Sequence, residues 1–244
     1  MTTRATPSMT QTNWDLIRAA ASGSETAKRS LESVARRAWP AIFAFIRASG
    51  RSPEEATDLT QGFIADVFLS RGLLEKADPA RGRFRTLLIG AVRNYLADMH
   101  RRRTAGTRMP KGGLAAFDDA VEGAVHDRNH RDDSPERAFN TRYVAGLIRA
   151  AAERLQQQLL AEHDSATWEL FRVRVLQASF EGAAAGYDTL APQLGLSMGV
   201  CAGRLGGAKG GSATLLLDEV RATVGSDDDA RQEMIELMTL LSQR

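Results

Sequence analysis

The segment Arg81–Arg103, reading RGRFRTLLIGAVRNYLADMHRRR, narrows the possible folds more than any other stretch. Phe84, Leu87, Leu88, Ala91, Tyr95, Leu96 and Met99 recur at three- and four-residue steps, the spacing at which an α-helix returns side chains to one face. The segment therefore predicts a helix with one apolar side. Arg83, Thr86, Arg93, Asn94 and Arg101 share another arc. Seven arginines stand against a single acid, Asp98, in a chain whose net charge is only +2. A cationic arc of this density is either solvated or turned toward a polyanion. Phe84 and Tyr95 fall on the apolar side, which places them in a core rather than as stacking platforms for bases.

Helix boundaries are written into the neighbouring residues. Ser24 suits the cap of a helix running to about Ala48, with Trp39, Ile42, Phe43 and Ile46 inward and Pro40 as a possible kink. Gly50-Arg51-Ser52-Pro53-Glu54-Glu55 combines a C-terminal glycine, an N-cap serine, a first-turn proline and a capping-box glutamate. The helix it opens reaches about Leu69, with Ala56, Leu59, Phe63 and Val67 inward. A shorter helix is expected from Asn13. Ser134-Pro135-Glu136 repeats the cap-and-proline device and opens a helix to about Leu160, with Phe139, Val144, Leu147, Ala151 and Leu155 inward. Asp164 or Ser165 caps the next, which carries Trp168, Phe171, Val175 and Leu176. Tyr187–Ser197 reads as short helix, glycine turn and serine cap, the pattern of a helix-turn-helix whose second helix spans 198–222. A last amphipathic helix, Asp227–Ser242, carries Met234, Ile235, Met238 and Leu241 and is expected to shield the second domain.

These readings assemble into an all-α chain of two small helical domains joined by a flexible linker. Residues 1–23 form an N-terminal extension, 24–103 the first bundle, 104–133 a glycine- and charge-rich linker, 134–224 the second domain, a degenerate helix-turn-helix, and 225–244 the terminal helix. Apolar residues at 43% suffice for two cores. One cysteine, Cys201, permits no internal disulfide and suits a reducing cytoplasm. No membrane segment or export signal is expected. His126 and His130 have i,i+4 spacing but no third ligand, and Gly206–Ser212 lacks the Walker order of glycines, lysine and hydroxyl. Neither a metal, a cofactor nor an enzymatic activity is expected.

The order of these elements resembles the group IV, or extracytoplasmic-function, sigma factors of bacterial RNA polymerase. The resemblance is carried by Trp39–Ile46, by Ser52–Gln61 with Phe63, by Gly82–Leu88, and by Arg93–Asp98 leading into Arg101–Arg103, across about 65 residues. The second domain agrees in layout and in Tyr187–Ser197. The resemblance implies that Glu55, Asp58, Leu59, Gln61, Phe63 and Ile64 face the clamp helices of the polymerase core, whose flap is a second contact. It also implies that the opened −10 strand of promoter DNA lies against Arg83, Arg85, Thr86, Arg93, Asn94, Asp98, Arg101, Arg102 and Arg103. Arg85, Asn94, Asp98 and the loop near Leu74–Arg83 would form the pocket for a flipped base. Thr57 and Thr60, beside Asp58, are candidate phosphorylation sites for a Ser/Thr kinase, and an anti-sigma factor is a further candidate partner.

One helix departs from the family. Where the family carries basic residues for the −35 element, this chain has Ser197, Arg204 and Lys209 among six glycines, Gly199, Gly203, Gly206, Gly207, Gly210 and Gly211. Six interior glycines cost about 6 kcal/mol of helix propensity relative to alanine. The helix is expected to fray unless Val200, Leu205, Leu215 and Leu216 pack it, and −35 binding is expected to be weak. Two rival readings follow: a sigma-like adaptor that binds polymerase without choosing promoters, and a helical interaction protein whose arginines are merely solvated.

Overall fold

The computed structural model describes residues 25–70, 73, 83–106, 134–178, 185–224 and 226–242. Among them every regular element is helical. The helices are α1 (Glu25–Ala48), α2 (Pro53–Phe63, continuing as a π-helical segment Ile64–Ser70), α3 (Phe84–Gly106), α4 (Pro135–Ala161), α5 (Ser165–Phe171, continuing as a π-helical segment Arg172–Gln177), α6 (Tyr187–Gln193), α7 (Met198–Arg221) and α8 (Asp227–Ser242). The expected helix from Asn13, most of the loop before Arg83, and His126 and His130 of the linker lie outside the described residues.

Packing separates two units, Met1–Tyr143 with Leu237–Arg244, and Val144–Glu236. The division falls inside α4 rather than ahead of it. Its first turns belong with the first unit, where Asn140 and Glu136 hydrogen-bond Arg85 and Arg93 of α3.

In the first unit α1 runs as one helix through Pro40, without a restart there. Ala41, Ile42, Phe45 and Ile46 are buried, whereas Trp39 and Phe43 are only half-buried. Gly50, at φ 87°, takes the left-handed conformation that ends α1. Two residues on, Ser52 Oγ accepts the Glu55 N–H at 3.1 Å and starts α2. Phe63 and Tyr95 meet edge to face at 5.6 Å between ring centroids, tying α2 to α3. Phe84, Leu88 and Val92 complete the α3 contribution to the core.

In the second unit Ala151, Leu155, Leu159, Phe171, Leu205, Ala208 and Leu215 form one apolar cluster. Leu170, Leu190, Ala191 and Cys201 form a neighbouring one. The Arg154 guanidinium reaches the buried Glu219 carboxylate at 3.0 Å and Asp218 at 3.7 Å. Despite its glycines, α7 is continuous over 24 residues. Its hold comes from Cys201, Leu205, Ala208, Leu215 and Val220; Val200, expected inward, is 44% exposed. Burying Leu205, Leu215 and Val220 returns about 2 kcal/mol each, enough to offset the glycine deficit. On α8 the buried positions are Ala230, Glu233 and Leu237, while Ile235 and Met238 face out. Of the apolar residues the sequence placed on this helix, Ile235 and Met238 are thus exposed and Met234 is half-buried.

Candidate nucleic-acid interface and the α2–α3 cleft

Helix α3 presents its arginines along an exposed edge because its apolar positions are taken by the first core. Thr86, Arg93, Asn94, Arg101, Arg102 and Arg103 are exposed, and Arg83 is half-buried. Arg85 is not on that edge: it is 8% exposed and donates from Nη1 to Asn140 Oδ1 at 3.0 Å. A buried guanidinium needs such an acceptor, so Arg85 serves the packing of α4 on α3 and is removed from the strand pocket.

Three exposed arginines are met by carboxylates. Arg93 donates to Glu136 Oε1 from Nε at 3.1 Å and from Nη2 at 2.5 Å. Arg101 pairs with Asp98 one turn back. Arg103 Nη1 lies 3.0 Å from Glu55 Oε1. Arg102 makes no ion pair among the described residues. Each pair is solvent-exposed and contributes little to stability, so a phosphate can displace the carboxylate.

Of the residues expected to face polymerase, Glu55, Asp58 and Leu59 line a cleft shared with the end of α3; Gln61, Phe63 and Ile64 do not line it. The cleft encloses about 450 Å³. Arg51, His100, Arg102 and Arg103 supply its basic wall, Glu55 and Asp58 its acidic wall, and Leu59, Leu96 and Met99 its apolar floor. Arg51 Nε is buried there without a hydrogen-bond partner among the described residues. The hydrogen bond from Arg103 is the main reason the Glu55 carboxyl sits below its ordinary range; partial burial opposes it, and the Ser52 backbone and the nearby arginine charges assist.

The expected docking surface is thereby reduced. Asp58 and Gln61 are exposed, and Leu59 and Ile64 half-buried, but Phe63 is fully buried and cannot anchor a partner. Thr60 is also fully buried, its hydroxyl donating to the Ala56 carbonyl at 2.6 Å, which closes it to a kinase. Thr57 is half-buried and donates to the Pro53 carbonyl at 2.9 Å.

In the second unit the turn between α6 and α7 has the expected geometry. Gly195 adopts φ 65°, the Leu196 N–H reaches the Ala191 carbonyl at 2.9 Å, and Ser197 Oγ accepts the Val200 N–H at 3.3 Å. Lys209 is exposed. Arg204 is turned to Asp164 Oδ1 at 2.8 Å, so the charge expected for DNA is engaged within the unit. Asp164 also accepts from the backbone and hydroxyl of Thr167. Burial pushes its carboxyl up, but these hydrogen bonds and the Arg204 charge outweigh burial and hold it below the usual range.

Among the described residues no group of His, Cys, Asp and Glu is placed to hold a metal, and no helix is long and apolar enough to cross a membrane. The sequence singled out α3 and α2, but not Asn140, Glu136, Arg51 or His100. Only the positions of Arg51 in the Gly50–Glu55 junction and of Glu136 in the Ser134–Glu136 junction offered a signal. The chain matches no family model, no curated protein and no solved structure.

Proposed function

We propose that this chain is a sigma factor of the extracytoplasmic-function type, a non-catalytic subunit that brings bacterial RNA polymerase core to promoters and helps open the −10 region. The observation that carries the reading is the edge of α3, where Arg93, Arg101, Arg102 and Arg103 stand exposed beside Asn94 while Phe84 and Tyr95 are buried below. An opened strand supplies phosphates to such an edge, and its bases are accessible only once unstacked. The acidic residues Glu55 and Asp58 on α2, with Leu59 beside them, fit a basic partner helix. Run-off transcription with core polymerase tests the proposal. Promoter-dependent transcripts are expected, and the absence of both transcripts and association with core overturns it.

A second reading draws on α7. Its basic side chains are Arg204 and Lys209 before Arg221, and Arg204 is paired with Asp164. An adaptor that binds core polymerase without selecting promoters fits that surface. Core binding without initiation is the outcome that favours it.

A further inference from the structure

We propose that Glu55 and Arg103 form an exchangeable latch that couples the surface offered to polymerase to the edge offered to the DNA strand; this rests on the sigma-type reading above. Arg103 Nη1 lies 3.0 Å from Glu55 Oε1, joining residues 48 positions apart. Carboxylate and phosphate oxygens compete for the same guanidinium fork. While the pair is closed, Glu55 occupies on Arg103 the place of a phosphate. Arg103 likewise occupies on Glu55 the place of a basic residue from a partner.

The geometry makes the exchange easy. The two side chains are 68% and 41% exposed, so the pair is weakly held. Glu55 keeps its capping interaction with Ser52 when Arg103 leaves, and so remains positioned on α2. With the Glu55 contact exchanged, the Arg103 guanidinium, which lines the same cleft as Arg102, offers the strand a second cation. A cation engaging Glu55 therefore raises strand affinity, and a bound strand raises affinity for that cation by the same factor.

Fluorescence anisotropy with the full-length chain and a labelled single-stranded A/T-rich oligonucleotide tests the latch. Glu55→Gln retains the capping acceptor and removes the competing charge, and tightens binding about two- to fivefold. Asp58→Asn makes the same charge change on the same helix, where no ion pair exists among the described residues, and tightens it less. On an Arg103→Gln background the Glu55→Gln gain disappears. Equal gains from Glu55→Gln and Asp58→Asn, or a gain that survives loss of Arg103, overturn the latch and leave the strand reading standing. Absence of binding by the wild-type chain overturns both.

Discussion

At the scale of single residues, His163 and Asp164 show how one junction stores strain and offsets it. His163 closes α4 with φ 59°, a left-handed conformation that disfavours any residue with a Cβ. Its N–H reaches Leu160 O at 3.1 Å, and the Asp164 N–H reaches Leu159 O at 2.8 Å, the paired bonds of a helix C-terminus that normally carries glycine. His163→Gly is therefore expected to stabilise the chain by about 1 kcal/mol, read from the urea midpoint at constant slope. Asp164 then caps α5 and holds Arg204. Its carboxyl is lower in the folded chain than the ordinary 3.8, so its contribution is complete above that value. The contribution disappears as pH falls through the folded value, which lies below it. Asp164→Asn is expected to lower stability at neutral pH and to shrink the acid-side loss, checked by urea titrations between neutral and strongly acid pH. The sequence left the cap between Asp164 and Ser165; the Thr167 hydrogen bonds assign it to Asp164. The left-handed residue was not legible, because nothing in a histidine announces that conformation.

At the scale of elements, glycine means opposite things in α2 and α7. In α7, Gly206 and Gly207 are exposed and an added Cβ meets nothing within 4 Å. Gly206→Ala and Gly207→Ala are each expected to stabilise the helix by about 1 kcal/mol, measured by thermal and urea unfolding followed by circular dichroism. In α2, a Cβ at Gly62 strikes the Tyr95 hydroxyl, so Gly62→Ala is expected to destabilise by about 1–3 kcal/mol in the same assay. Periodicity together with cap and turn residues located the eight helices among the described residues, and the Ser52-Pro53 and Ser134-Pro135 junctions located two of their starts closely. Propensity alone would fray α7, and the packing expected as the alternative is what holds it: Leu205 packs with Leu155 and Phe171, while Cys201, which the sequence did not offer for this, packs with Leu170, Leu190 and Ala191. The inward face of α8 was also missed. Ala230 and Glu233 are buried there, and neither residue type signals burial in a sequence.

At the scale of the whole chain, the proposed activity turns on an imbalance between its two units. The arginine edge of α3 was legible because charge clusters along one stretch of sequence. Of its carboxylate partners only Asp98 lies in that stretch; Glu136 and Glu55 were not legible, since they come from 43 and 48 residues away. Once those partners are known, the α3 cations become exchangeable contacts, whereas Arg204 of α7 also braces the Asp164 cap. Initiation by this chain should therefore depend on the −10 strand far more than on the −35 element. In run-off transcription, Arg93→Glu with Arg101→Glu is expected to reduce output at least about tenfold, because each reversal would replace a proposed phosphate contact with a repulsion. The output of the wild-type chain should fall steeply with added salt. Lys209→Ala is expected to change output less than about twofold, as is scrambling the −35 sequence of the template. A large loss from either of those changes would show that α7 reads DNA despite its glycines. Output unaffected by the Arg93 and Arg101 reversals would remove the α3 edge from promoter opening, and with it the reason for placing a DNA strand there.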